Sequence, residues 1–183
     1  FDGTQPDAPA LMVFAHMDVI GFIITCIDDQ GFIRVDRMGG IPEKIVAATQ
    51  VLVGTENGDY VNGLIAAKSY HVQSAEEKAK ADTLAHMFID IGVHSRDEAR
   101  ALGVEVGCPV VYAPRFVDLQ GDRIAGSYLD DASGMVTMVE IARYLKAHRP
   151  KVTVHLVGTV WEEFNARGAM LAARSVKTDL AIC

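Results

Sequence analysis

The sequence predicts an α/β domain assembled from both ends of the chain, with a β-rich domain inserted into it. Two continuous apolar runs, Leu11 to Ala15 and Val152 to Val160, have the composition of strands covered on both faces, and each ends abruptly in polar residues. Between them Met135, Val136, Met138, Val139, Ile141, Ala142 and Leu145 recur at three-to-four-residue spacing, which marks a helix packed by one face. From Gly21 the pattern changes to short alternating runs separated by turns, the signature of antiparallel strands. These features assign residues 1–20 and 124–183 to the α/β domain and 21–123 to the insert.

In chain order, the first strand covers Leu11 to Ala15 and runs into His16-Met17-Asp18. The insert then reads as strands over Phe22 to Ile27, Phe32 to Asp36, Gln50 to Val53 and Tyr60 to Ile65, with turns at Asp28-Asp29-Gln30-Gly31 and around Asn57-Gly58. Ser74-x-x-Glu77 and Ser95-x-x-Glu98 are capping-box patterns that start short polar helices, and further strands are expected at Met87 to Asp90 and Pro109 to Tyr112. The one-faced helix stops before Pro150, because proline cannot continue it. The second long strand ends in Trp161-Glu162-Glu163, a helix follows from Ala166 to Ser175, and Asp179 to Cys183 opens another apolar strand.

Half of the residues are hydrophobic and 22% are charged, so an ordered core is affordable. Seventeen basic against 24 acidic residues leave a net charge of -7 and no basic stripe for phosphate neutralisation, which argues against nucleic acid as a partner. No run reaches the roughly 18–20 apolar residues of a membrane span, so no membrane partner is expected. The three cysteines, Cys26, Cys108 and Cys183, are odd in number and lack a CxxC, which speaks against a disulfide framework or a thiolate zinc site and for a cytoplasmic setting.

Three clusters carry candidate chemistry. His16 and Asp18 lie two apart at a strand end, so on a continuing strand they project from one face and Asp18 holds the imidazole, the arrangement that makes a histidine a better metal ligand. Asp130 and Asp131 stand at the entry of the apolar helix between Gly126 and Gly134. One carboxylate explains a helix cap; two adjacent ones suggest a crowded turn in which Asp130 bridges two cations. Glu162 and Glu163 close a central strand at its carboxyl end, the usual ligand-binding edge of such sheets. On an extended chain the two point oppositely, so one binds metal while the other faces water. A local His–Asp pair, a helix cap and a solvated glutamate pair are the plain alternatives for the three clusters. The sequence has no GxSxG elbow, glycine-rich phosphate loop or HExxH, which removes the serine-hydrolase, nucleotide-binding and helix-borne zinc-protease readings.

Taken together, Ala15-His16-Met17-Asp18 with Gly21-Phe22, Phe88-Ile89-Asp90-Ile91-Gly92 with Ser95-Arg96, Leu129-Asp130-Asp131, and Glu162-Glu163 with Arg167-Gly168-Ala169 resemble the M42 family of metallopeptidases, nearly end to end. The resemblance implies a phosphorylase/hydrolase-like α/β catalytic domain with an inserted barrel-like domain used in homo-oligomer assembly, in the family often a dodecamer. It implies two divalent cations, zinc or cobalt, and removal of amino-terminal residues from short peptides. Carried over by position, His16 and Glu163 each bind one metal, Asp130 bridges both, Glu162 is the general base, Asp18 orients His16, and Asp131 supports Asp130.

Three positions depart from the family pattern: Val19 replaces an acidic residue, Ala132 an arginine, and Phe164-Asn165-Ala166 the more usual Val-Gly-Leu, which leaves the preferred substrate residue open. The family's two remaining ligands lie beyond Cys183, so the resemblance also implies that this chain is an incomplete fragment, inactive by itself. Two other expectations stay alongside the peptidase: a metal-dependent amidohydrolase or deacylase on the same fold, and a non-catalytic assembly module.

Overall fold

The structure, a computed structural model, describes residues 1–5, 7–80 and 82–183. In chain order its principal elements are β1 (Leu11–His16), β2 (Gly21–Ile27), β3 (Ile33–Met38), β4 (Gln50–Gly54), β5 (Tyr60–Ala66), α1 (Ala75–Lys78), β6 (Phe88–Asp90), α2 (Arg96–Ala101), β7 (Pro109–Tyr112), β8 (Phe116–Asp118), β9 (Ile124–Gly126), α3 (Leu129–Ala147), β10 (Val154–Thr159), α4 (Arg167–Ser175) and β11 (Leu180–Ile182). They fall into two compact units, Phe1–Val19 with Phe116–Cys183, and Ile20–Arg115.

The first unit is built on a parallel sheet of order β10-β1-β11. β1 and β10 run in register from Leu11 opposite Val154 to His16 opposite Thr159, so both strands end at the same level. α3 packs against β1 and β10, and α4 against β10. Among the described residues Met12, Ala15, Met138 and Val154 are its buried apolar residues; of the α3 positions expected to pack as one face, Met138 is buried while Val136 (63%) and Val139 (47%) are exposed. Gly168 lets α4 start hard against the end of β10: a Cβ there would lie 2.1 Å from the Val160 carbonyl oxygen. The antiparallel β8–β9 hairpin belongs to this unit and leads into α3.

The second unit is a closed antiparallel barrel, β2-β3-β6-β5-β4-β7. Its strands alternate by the period of two that the sequence showed, and Phe22, Ile24, Ile33, Val51, Val53, Ile65, Ile89 and Val110 fill the interior. Each such fully buried side chain contributes about 1.5–3 kcal/mol over an exposed one. Closure also removes free sheet edges. The Ser74 box forms in full, with the Ser74 side chain accepting from the Glu77 N–H and the Glu77 carboxylate accepting from the Ser74 N–H. At α2 only half of it forms: Ser95 accepts from the Glu98 N–H, but the Glu98 carboxylate takes the His94 N–H instead.

Candidate functional site

All the chemical clusters singled out in the sequence lie in the first unit, around the carboxyl ends of β1 and β10. β1 delivers His16, the turn into α3 delivers Asp130 and Asp131, and the segment after β10 delivers Glu162 and Glu163. His16 is 8% exposed. Its Nε2 lies 2.9 Å from Asp130 Oδ1 and 3.7 Å from Glu162 Oε2. One ligand atom from each of His16, Glu162 and Glu163 can be chosen so that all lie within 4.8 Å of one another.

Two expectations built on strand alternation are corrected here. Asp18 was expected to hold His16 by its carboxylate. Instead, His16 Nδ1 lies 2.9 Å from the Asp18 main-chain carbonyl oxygen, and the nearest carboxylate oxygen is 3.7 Å away. The Asp18 carboxylate accepts the backbone N–H groups of Glu162 (3.2 Å, Oδ1) and Glu163 (3.3 Å, Oδ2). The reason is that β1 ends at His16, so period two no longer governs Asp18. The same cause brings Glu162 and Glu163 to one side rather than opposite sides: β10 ends at Thr159, and Trp161 turns the chain through φ 62°.

Asp131 takes the cap that Asp130 leaves free. Its Oδ1 accepts the Gly134 N–H at 2.8 Å, and its Oδ2 accepts the His16 backbone N–H at 3.3 Å, pinning the start of α3 to the end of β1. A Cβ at Gly134 would stand 2.5 Å from Asp131 Oδ1, so any larger residue would displace that capping carboxylate. The Asp130–Asp131 peptide is cis, and both residues have non-helical angles, so regular helix begins at Ala132. The Asp130 side chain is 89% exposed, leaving its second oxygen open to another partner.

Electrostatics favour a cation. Burial opposes the charge on His16, but the hydrogen bond to Asp130, the Asp18 carbonyl and the nearby carboxylates outweigh it and raise its pKa above the ordinary 6.5. Glu163 is pushed above the ordinary carboxylate value, first by burial and then by repulsion from Glu162, with His16 opposing. The carboxylates of Glu162, Asp130 and Asp18 all act to raise Glu163, beside a single imidazole that opposes them. Imidazole nitrogen and carboxylate oxygen are donors that zinc and cobalt accept. The 2.9 and 3.7 Å separations also bracket the spacing of about 3.4 Å between two donors each about 2.1 Å from one tetrahedral ion. The residues present fit a divalent cation, with His16 Nε2, Asp130, Glu162 and Glu163 as the available donors.

Sequence reasoning missed the aromatic border of the glutamate pair. Trp161 and Phe164 have ring centroids 6.1 Å apart, and the Arg167 guanidinium lies 5.4 Å from the Trp161 ring centroid. Asn165, at φ 65°, shows how asparagine can occupy a position where glycine is more usual, since its short polar side chain tolerates the left-handed region.

Comparison with known proteins gives a consistent result. A model of the M42 glutamyl aminopeptidase family matches residues 2–183. The lysyl aminopeptidase of Pyrococcus furiosus is 32% identical over 176 residues, covering 96% of this chain and 50% of the relative. A TET aminopeptidase from Thaumarchaeota archaeon SCGC AB-539-E09 superposes with a TM-score of 0.90 at 34% identity, over 98% of this chain and 50% of that one. The Pyrococcus horikoshii TET1 peptidase, which can assemble into a tetrahedron or a large octahedral shell, gives 0.86 at 32% identity, over 97% and 54%. The chain spans about half the length of the relatives it matches.

Proposed function

The chain belongs to the M42 glutamyl aminopeptidase family, and from that premise we propose that it carries most of a two-metal centre that hydrolyses amino-terminal peptide bonds. The observation that carries the proposal is the convergence of His16, Asp130, Glu162 and Glu163 at the carboxyl ends of two parallel strands. In this reading His16 and Glu163 each hold one cation and Asp130 serves both. Bound there, two divalent cations supply Lewis acidity toward a scissile carbonyl and make water acidic enough to act as a nucleophile near neutral pH.

The chain's own residues then divide the work. Glu162 stands 3.7 Å from His16 Nε2, free to accept a proton from water and pass it to the departing amine. The Asp18 carbonyl keeps the proton of His16 on Nδ1, leaving Nε2 as the donor toward the cation. The substrate is a short peptide. The barrel unit mediates homo-oligomer contacts, a reading supported by the assemblies of the TET1 relative. This chain alone offers each cation two protein donors, counting Asp130 twice, so turnover requires further ligands of the kind the longer relatives have room for.

The test is an aminoacyl substrate panel assayed at the relatives' full length, with zinc or cobalt added or chelated. Glu162→Gln is expected to lower kcat by about 10²–10⁴-fold while oligomer size stays the same. Full activity in that variant, or indifference to chelator, refutes the proposal. Hydrolysis of acylated amines but not peptides would instead favour a deacylase.

A further inference from the structure

We propose that Asp18 is a positioning residue for the glutamate pair: its carboxylate clamps the Glu162–Glu163 backbone to the end of β1, and that clamp sets the geometry of the cation-binding donors. The inference rests on the metal-centre reading above and assigns within it a role that differs from holding the imidazole.

The two halves of Asp18 face different neighbours. Its carbonyl oxygen accepts from His16 Nδ1 at 2.9 Å, and this bond belongs to the main chain, independent of the side chain at position 18. Its carboxylate oxygens are used separately, Oδ1 on the Glu162 N–H at 3.2 Å and Oδ2 on the Glu163 N–H at 3.3 Å, across 144 and 145 residues of sequence. Two consecutive N–H groups aimed at one carboxylate fix both the position and the orientation of the peptide between them.

That segment needs an external hold. β10 has ended at Thr159, and Trp161 and Ala166 lie at positive φ, a region that costs such residues roughly 1–2 kcal/mol each. The segment's own turn bonds, Ala166 N–H to the Glu162 carbonyl at 2.9 Å and Arg167 N–H to the Trp161 carbonyl at 3.1 Å, tie it to α4, whereas the Asp18 carboxylate ties it to β1, and without that tie the glutamate carboxylates would lose their fixed approach to His16. One residue therefore links the imidazole, through its carbonyl, to both glutamates, through its carboxylate. Asparagine at position 18 keeps one accepting oxygen and turns an NH₂ donor toward the other N–H, so it breaks half the clamp while keeping size and shape.

The experiment compares the protein at the relatives' full length with its Asp18→Asn variant by three readouts: amide hydrogen exchange at Glu162 and Glu163, ¹⁵N imidazole shifts of His16, and Co²⁺ titration followed by visible absorption. In the unsubstituted chain both amides are slow to exchange. The variant speeds exchange of at least one of them and weakens Co²⁺ binding by about 10–100-fold, the usual cost of losing a group that orients metal ligands. Its His16 shifts still report a protonated Nδ1, which a globally disturbed fold would not preserve. Rapid exchange of both amides in the unsubstituted chain overturns the clamp, as does a variant that binds Co²⁺ undiminished. At that length, failure of the unsubstituted protein to bind Co²⁺ refutes the metal-centre reading, while the amide exchange still decides the clamp.

Discussion

At the scale of single residues, the site depends on breaks in regular structure. Ala166 initiates α4 at φ 53° and ψ 33°, where its Cβ crowds the backbone. Ala166→Gly removes that crowding at a smaller entropic cost, and is expected to raise unfolding stability by about 0.5–1 kcal/mol in a denaturant titration; a loss of stability would show that the left-handed turn is not strained. That His16, Asp130, Glu162 and Glu163 stand where apolar elements end or begin was legible in the sequence. The orientations of Asp18 and Glu163 were not. Both lie past a strand end, where alternation stops, and the bonds that fix them join positions 18 and 162–163, a pairing that no local pattern encodes.

At the scale of elements, the long apolar runs were legible as elements, since β1, β10 and α3 form where the runs lie. The β8–β9 hairpin was missed: its strands are three residues each and largely exposed, so nothing in their composition separates them from loop. Capping behaved unevenly for a chemical reason, because the Glu98 carboxylate had a competing N–H donor in His94. At α1 the closed box has a measurable consequence. The Glu77 carboxyl is held down to about 2 by the Lys68 ammonium, then by the Ser74 N–H and hydroxyl. A carboxyl depressed below its ordinary 4.5 adds stability at pH values above 4.5, and loses it as pH falls toward 2. An NMR titration should place the Glu77 midpoint near 2 at low salt and move it upward at high salt, because the pair is exposed. A midpoint near 4.5 at low salt would mean that the box does not persist in solution.

At the scale of the whole molecule, both units leave apolar side chains exposed, Ile45 (64%) and Val72 (67%) among them in the barrel unit. The barrel closes, whereas the parallel sheet leaves Leu180 (61% exposed) and Ile182 (55%) uncovered on β11, and Val136 (63%) on α3. Parallel sheets are normally covered on both faces, and Leu180 and Ile182, two apart on β11, share one uncovered face. The chain should bind a hydrophobic fluorescent dye at this surface, and Leu180→Lys with Ile182→Lys should reduce the signal several-fold. Unchanged dye binding would assign the signal elsewhere.

The central claim is that the ends of β1 and β10 form a metal centre, and anomalous diffraction from zinc-grown crystals of the protein at the relatives' full length tests it most directly. Data on either side of the zinc edge should show a peak about 2.0–2.2 Å from His16 Nε2 and from a carboxylate oxygen of Asp130 or Glu163, with Nδ1 still on the Asp18 carbonyl. Zinc held anywhere else, or an empty cluster at saturating zinc, would contradict the account.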